Sequence, residues 1–379
     1  MLTQINNGKI LTPEGWLLDH SILIEDGKIV EIAGSLPIQG AEVVDARGMY
    51  IVPGFVAMNV YGANGHSFAE GTKEAFDAIT KAHLEHGATT IFPTIPPSSK
   101  EKIIDIAHLC EELMKDGNST IKGLHLCGPY LSPDMTKDQY KVRLPDVKEY
   151  MEILDSTNCI KRWDAAPEQP GTKEFAQELS KRGILPTISH TQAEYKDVYE
   201  GYLSGFKHTS QLYNAMPGFH KKNEYKYEGT VESVYLIDDM TTEVIADGKH
   251  LPATILRLVY VIKGPEKVAL VTAALSYAAY NGPVNPDDNV YIEDGVCKVK
   301  GVKHLAGSIA TMDTLVKNMV IKVETTLKDA VKMASETPAK IMGVYDKVGS
   351  IEKGKEANIL ILNYNYDILS VWSHGVKVK

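Results

Sequence analysis

Several polar side chains capable of chemistry stand at or near the ends of apolar segments of the chain. Cys127 and His190 each end such a segment, and Gln211 lies near the end of a third. If the fold brings them together, a thiol nucleophile, an imidazole base and an amide donor would suit acyl transfer through a thioester. No CxxC motif is present, so neither a zinc ribbon nor a disulfide framework is indicated for the four cysteines, Cys110, Cys127, Cys159 and Cys297.

The elements that must position these groups alternate between strand and helix patterns from about residue 51 onward. Eight apolar segments read as strands, and helical patterns lie between most of them. This alternation predicts a (β/α)₈ barrel, which places polar residues at the carboxyl ends of its strands around one mouth. An open doubly wound sheet is the alternative, but no GxGxxG motif follows an early strand. The segments are 51–61, 88–95, 121–127, 160–166, 184–190, 206–213, 242–247 and 267–275.

Both ends of the chain carry short strand patterns instead. Asp26-Gly27 separates the alternating segments 21–25 and 28–32, which is a hairpin signal. Segments 358–362 and 370–373 look similar. We therefore expect residues 1–50 and 345–379 to form one small β sandwich beside a barrel of residues 51–344, with a hairpin inserted at 289–300.

Composition narrows the functional classes. The chain has 379 residues, of which 44% are hydrophobic and 23% charged, as in globular proteins. The net charge of −9 and the lack of a basic run argue against nucleic acid as a partner. No apolar run is long enough to span a membrane and no signal peptide precedes the first strand pattern, so a cytoplasmic location is expected.

Motifs along the whole chain carry a family resemblance. They are Val52-Pro-Gly-Phe-Val56, Gly123-Leu-His-Leu-Cys-Gly-Pro129, Ala166-Pro-Glu168, Ser189-His-Thr191, Leu212-Tyr-Asn-Ala-Met216, Ala246-Asp-Gly-Lys-His250, Leu305-Ala-Gly-Ser308 and Gly349-Ser-Ile-Glu-Lys-Gly354. With these, the chain resembles the N-acetylglucosamine-6-phosphate deacetylases of the amidohydrolase superfamily. The resemblance implies a homodimer that hydrolyses the amide of an amino-sugar phosphate with zinc or another divalent metal.

The residues at the implied metal-ligand positions differ from the family pattern. The family carries an HxH pair on the first strand, where this chain has Asn59 and Tyr61. Cys127 stands in place of a glutamate on the third strand, and Gln211 in place of a histidine on the sixth. Only His190 keeps the family residue. Catalytic zinc needs about three His, Cys or carboxylate ligands, and amides bind transition metals weakly, so we expect no metal or other cofactor.

The implied catalytic aspartate of the eighth strand is also replaced, by Ala273. No group at that position could then move a proton. We expect an inactive or repurposed barrel, altered naturally or by engineering, that still binds a small ligand. Three alternatives remain open: a deacetylase with other metal ligands, such as Glu168 or His66; thiol chemistry by Cys127 and His190; and a non-catalytic dimeric scaffold.

The ligand site is expected at the barrel mouth. The resemblance implies that Asn214, the backbone of Ala215, and His250 hold a sugar phosphate, and Lys221 and Lys222 are basic candidates on the following loop. Several tyrosines near the mouth would also suit an aromatic ligand. The residues expected to line the pocket are Asn59, Tyr61, Cys127, His190, Gln211, Ala273 and Tyr277.

Overall fold

A parallel β-barrel forms the centre of the protein, as a computed structural model that describes residues 2–34, 40–136, 141–285, 288–301 and 305–379 shows. Eight strands pair in chain order, and an isolated parallel bridge between Val60 and Ala274 joins the first strand to the segment after the last. The predicted (β/α)₈ barrel is confirmed. Its strands are Phe55–Val60, Ala88–Ile95, Leu124–Cys127, Ile160–Ala165, Leu185–Ile188, His208–Thr209, Thr241–Val244 and Val268–Leu270.

Amphipathic helices cover the outside of the barrel. The helix Thr172–Lys181 is representative, because it buries Phe175, Ala176 and Leu179 on one face. The Phe175 ring packs edge-on against Trp163 of the fourth strand, with ring centroids 5.1 Å apart. The described helices are Lys73–Glu85, Lys100–Met114, Val147–Ser156, Thr172–Lys181, Tyr195–Ser204, Thr230–Leu236, Ala253–Lys263, Met312–Ile321, Leu327–Ala334 and Glu336–Ile341, with 3₁₀ turns at Phe68–Glu70 and Pro133–Met135. Among the described residues, none of these helices is long and apolar enough to cross a membrane.

Two sheets built from both termini form the predicted β sandwich. One contains Lys9–Thr12, Gly15–Leu17, Tyr50–Pro53, Ile359–Leu362, Ile368–Ser373 and Val376–Lys377, and the other Leu2–Asn6, Ser21–Glu25, Lys28–Ala33 and Glu42–Asp45. Side chains such as Ile5, Ile22, Ile51 and Ile359 fill one apolar cluster between them. Because Tyr50–Pro53 pairs within this sandwich, the expected domain boundary after residue 50 falls inside a strand. The boundaries between the sandwich and the barrel domain remain a prediction.

Shorter strands also pair in small sheets that are separate from the barrel sheet. The expected hairpin at 289–300 is present as Val290–Glu293 and Val296–Val299, and Leu305–Gly307 adds a third strand to it. Gly62–Ala63 pairs with His66–Ser67 beside the first barrel strand. His220–Lys222 pairs with Tyr225–Tyr227 in the segment that follows the sixth strand.

A partly buried carboxylate links the sandwich to the barrel and makes stability depend on pH. Glu356 lies 2.9 Å from Lys122 Nζ and 3.1 Å from His374 Nε2. Burial alone would raise the pKa of Glu356, but the hydrogen bonds and charges of His374 and Lys122 outweigh it and lower the pKa from 4.5 to about 2. A lowered folded-state pKa stabilises the protein above pH 4.5, and this stabilisation disappears as pH falls toward 2.

We expect the contribution of Glu356 to reach about 3 kcal/mol at neutral pH and to be lost between about pH 5 and pH 2. Urea unfolding followed by circular dichroism across this range measures it. Glu356→Gln is the matched control, since it removes the titrating group while keeping the shape. Equal pH dependence in the two proteins would show that Glu356 does not carry the effect.

Candidate ligand-binding site

A cavity of about 900 Å³ opens at the carboxyl ends of the barrel strands. It collects predicted residues from distant parts of the chain, because each follows or ends a different strand. The predicted residues that line it are Tyr61, Cys127, His190, Gln211, Asn214, Ala215, His250 and Ala273. The 3₁₀ turn Pro133–Met135 and the strand Leu305–Gly307 contribute further walls.

Two residues expected to line the cavity lie elsewhere, which corrects the sequence expectation. Asn59 is fully buried inside the barrel, where its Nδ2 donates to Glu243 Oε1 at 2.7 Å. Tyr277 points toward the following loop, since its hydroxyl donates to Asp288 and accepts the Asn285 N–H at 3.0 Å. Both side chains form hydrogen bonds with residues that do not line the cavity.

The expected basic residues also lie outside the cavity of this chain. Lys221 and Lys222 are exposed on the hairpin after the sixth strand, and Lys222 Nζ lies 3.3 Å from Glu194. Both lysines belong to the strand His220–Lys222, which pairs with Tyr225–Tyr227.

Strained backbone marks three of the strand ends at the cavity. His190, Gln211 and Ala273 have φ values of 43°, 42° and 44°. Such left-handed conformations of non-glycine residues cost of order 1–3 kcal/mol each, and they persist where the surrounding structure holds them, often at functional sites. The bonds from Ser189 Oγ to His190 Nδ1 (2.9 Å) and from Ala273 N to Asn59 O (3.0 Å) are part of that support.

The Cys127 thiol at the cavity floor is protonated at neutral pH. Burial, and next the negative charge of Asp164, raise the pKa of Cys127 to about 12, although its hydrogen bond with the Tyr61 hydroxyl acts in the opposite direction. Burial likewise raises the pKa of Tyr61 well above its usual value. Because the thiolate is the nucleophilic form, this environment disfavours thiol catalysis.

The opposite side of the cavity holds an aspartate–histidine pair. Asp247 Oδ2 accepts from His250 Nδ1 at 2.6 Å, while Oδ1 accepts the N–H groups of Lys249 and His250 at 2.8 and 2.9 Å. This fixes the imidazole and leaves Nε2 as the ring nitrogen that Asp247 does not engage. Nearby, Asn214 Nδ2 donates to Gln211 Oε1 at 2.7 Å. The arrangement can present polar groups to an anionic substituent.

Comparison with known proteins places this barrel and its cavity in a family. The family model of the amidohydrolases matches residues 50–378. The chain belongs to the amidohydrolase family. Within it, the relatives and solved structures that this chain resembles are N-acetylglucosamine-6-phosphate deacetylases, in agreement with the sequence resemblance.

Individual relatives match over nearly the full chain. The N-acetylglucosamine-6-phosphate deacetylase of Haemophilus influenzae is 28% identical over 382 residues, which cover 97% of each chain. The crystal structure of the Pasteurella multocida deacetylase superimposes with a TM-score of 0.92 at 26% identity, covering 99% of both chains. A mutant Mycobacterium smegmatis deacetylase in complex with N-acetyl-D-glucosamine-6-phosphate gives 0.90 at 25% identity, covering 100% of this chain and 99% of that one.

The donor set of this amidohydrolase does not fit the divalent metal that the family resemblance implies. In the part of the chain that the structure describes, no three His, Cys, Asp or Glu side chains are grouped so that they could hold a metal ion. Glu168, one alternative ligand, accepts from the Thr191 hydroxyl and from the Gln192 N–H at 2.7 Å. His66, the other, pairs with Glu70 at 3.1 Å.

A charged network below the cavity was missed by the sequence analysis. Arg162 and Glu243 are fully buried, and Arg162 Nη1 lies 2.6 Å from Glu243 Oε2. Arg162 Nε lies 2.8 Å from Asp164 Oδ1, and Asp164 is buried as well. The available signal was the presence of charged residues inside two strands that are otherwise closed to solvent, Ile160–Ala165 and Thr241–Val244.

Proposed function

We propose that this amidohydrolase binds a phosphorylated amino sugar at its barrel mouth without hydrolysing the amide through a metal-bound water. The observation that carries the proposal is the donor set at the cavity floor. Of the five implied ligand positions, only Cys127 and His190 carry side chains that bind zinc well.

Among the described residues, the one at the implied catalytic position offers no substitute for metal-assisted hydrolysis. Water needs a bound metal or a strong base to become a nucleophile at neutral pH. Ala273 has no titratable group at the implied position of the catalytic acid and base. Thiol-based acyl transfer by Cys127 and His190 is not favoured either, because a pKa of about 12 leaves almost no thiolate at neutral pH.

A second group of residues that line the cavity supports a phosphorylated ligand. His250, oriented by Asp247, is suited to bind a phosphate together with Asn214 and the backbone of Ala215. Hydrogen bonds from such groups to a phosphate are stronger than those between neutral partners. The Mycobacterium smegmatis relative, solved with N-acetyl-D-glucosamine-6-phosphate, supports the same class of ligand.

We also propose a homodimer, as the family resemblance implies. Large apolar side chains are exposed on three successive helices, with Leu203, Leu236 and Val261 at 66%, 65% and 64% exposure. Large exposed apolar patches are typical of protein–protein interfaces. The hairpin that carries Lys221 and Lys222 lies between the first two of these helices in the chain, and we expect it to contact the second copy.

Calorimetric titration tests the binding proposal. In EDTA, we expect saturable binding of N-acetylglucosamine 6-phosphate and none of N-acetylglucosamine, which lacks the phosphate. His250→Ala should weaken binding about 10- to 100-fold, since hydrogen bonds to charged groups contribute about 1.5–3 kcal/mol. His20→Ala, on the β sandwich, is the matched control. Equal binding of both sugars, or none of either, would contradict the proposal and favour an aromatic ligand or a non-binding scaffold.

A further inference from the structure

We infer that the buried ion network of Arg162, Asp164 and Glu243 takes the place of a metal centre in this barrel, and that the network, in addition to the lost donors, excludes a divalent metal. A consequence is that restoring the family's donor residues would not by itself restore metal binding. The inference rests on the proposed function only in taking the native site to work without a metal.

The guanidinium of Arg162 joins the two carboxylates into one unit. Its Nε and Nη2 atoms lie 2.8 and 3.3 Å from the two oxygens of Asp164. Its Nη1 and Nη2 atoms lie 2.6 and 3.2 Å from the two oxygens of Glu243. All three residues are fully buried. A planar guanidinium thereby supplies, between the fourth and seventh strands, a fixed positive charge and a defined geometry.

This unit is in direct contact with the implied metal-ligand positions. Asn59 Nδ2 donates to Glu243 Oε1 at 2.7 Å, and the Gln211 N–H donates to the same oxygen at 3.3 Å. Cys127 is the residue paired with Asp164 across the third and fourth strands. Three of the five implied ligand positions therefore adjoin the network. Asn59 does so through its side chain, Gln211 through its backbone N–H, and Cys127 through strand pairing.

Every carboxylate oxygen of the network already accepts hydrogen bonds. Glu243 Oε1 also accepts from the Ser210 hydroxyl at 2.8 Å, and His208 Nε2 lies 3.4 Å from Oε2. His125 Nε2 lies 2.9 Å from Asp164 Oδ1. A metal that took either carboxylate would remove one of the two partners of the buried guanidinium, and breaking a buried ion pair is strongly unfavourable. The network is thus closed toward a second cation.

Metal content measured on two redesigned proteins tests the inference. The first, the restored variant, carries Asn59→His, Tyr61→His, Cys127→Glu, Gln211→His and Ala273→Asp. The second adds Arg162→Met, Asp164→Val and Glu243→Leu. After equilibration with zinc and dialysis, we expect less than about 0.1 zinc per chain in the restored variant and close to one in the second. Circular dichroism and gel filtration establish that each is folded.

Either of two outcomes would overturn the inference. Stoichiometric zinc in the restored variant would show that the network does not exclude the metal. No zinc in the second variant would show that removing the network does not allow the site to bind zinc. The native chain provides a measurement independent of redesign: its melting temperature should be unchanged by zinc or EDTA. A zinc-dependent rise that is abolished by His190→Ala would contradict the inference.

Failure of this inference is distinguishable from failure of the proposed function. Metal content reports on the network alone, whereas calorimetry with N-acetylglucosamine 6-phosphate reports on the cavity of the native chain. If the native chain binds the sugar phosphate and the restored variant takes up zinc, the proposed function is supported and the role of the network is refuted. If the native chain does not bind the sugar phosphate and the restored variant takes up no zinc, the proposed function is refuted and the role of the network is supported.

Discussion

Arg162→Met is expected to lower the free energy of unfolding by about 3–5 kcal/mol. The substitution keeps much of the side-chain volume but removes the only cation that the described structure places against both Asp164 and Glu243. These two carboxylates would then be buried without a counter-charge, next to histidines whose pKa burial holds low. Urea unfolding at pH 7, followed by circular dichroism and tryptophan fluorescence, measures the loss.

Two further proteins identify the cause of that loss. Arg182→Met is the matched control, because Arg182 pairs with Glu178 and Asp155 near the surface and should cost no more than about 1 kcal/mol. Adding Asp164→Val and Glu243→Leu to Arg162→Met should recover part of the stability, since replacing a whole buried ion pair costs less than breaking it. A loss below 1 kcal/mol for Arg162→Met would show that the network contributes little to stability.

Acetate release from N-acetylglucosamine 6-phosphate, with zinc added, is expected to be at least about 10⁴-fold slower than for the Haemophilus influenzae deacetylase assayed in parallel. General acid–base catalysis alone contributes about 10²- to 10⁴-fold, and activation of water by a metal contributes several kcal/mol more. This chain has Ala273 at the implied position of the catalytic acid and base, and its described residues contain no donor set that fits a metal ion. A coupled acetate assay against the Haemophilus influenzae deacetylase makes the measurement.

His190→Ala separates residual catalysis at this site from contamination. If the small remaining rate comes from another protein in the preparation, it will be the same in the variant and in the native chain. A rate comparable to that of the relative, lost in His190→Ala, would show that the site is an active deacetylase. The proposal of binding without hydrolysis would then be wrong.

Sequence patterns alone were sufficient for the architecture of this protein. The strand segments 88–95 and 160–166 correspond closely to Ala88–Ile95 and Ile160–Ala165. Strands covered by helices on one side and packed inside the barrel on the other are mainly apolar, although Arg162 and Asp164 interrupt the second of these two. The motifs around Cys127, His190 and Ala273 also located the cavity, since barrel strands all end at the same mouth.

Tertiary structure alone decided which polar groups meet below that mouth. Arg162 and Glu243 are 81 residues apart, so their pairing depends on the fourth and seventh strands facing each other across a closed barrel. For the same reason the sequence could not show that Asn59 turns toward Glu243 instead of the cavity. Residue types at the implied metal-ligand positions indicated which donors the family resemblance requires and this sequence does not carry. The burial and partners that occupy its place exist only once the strands are assembled, because hydrogen bonding and desolvation depend on neighbours in space.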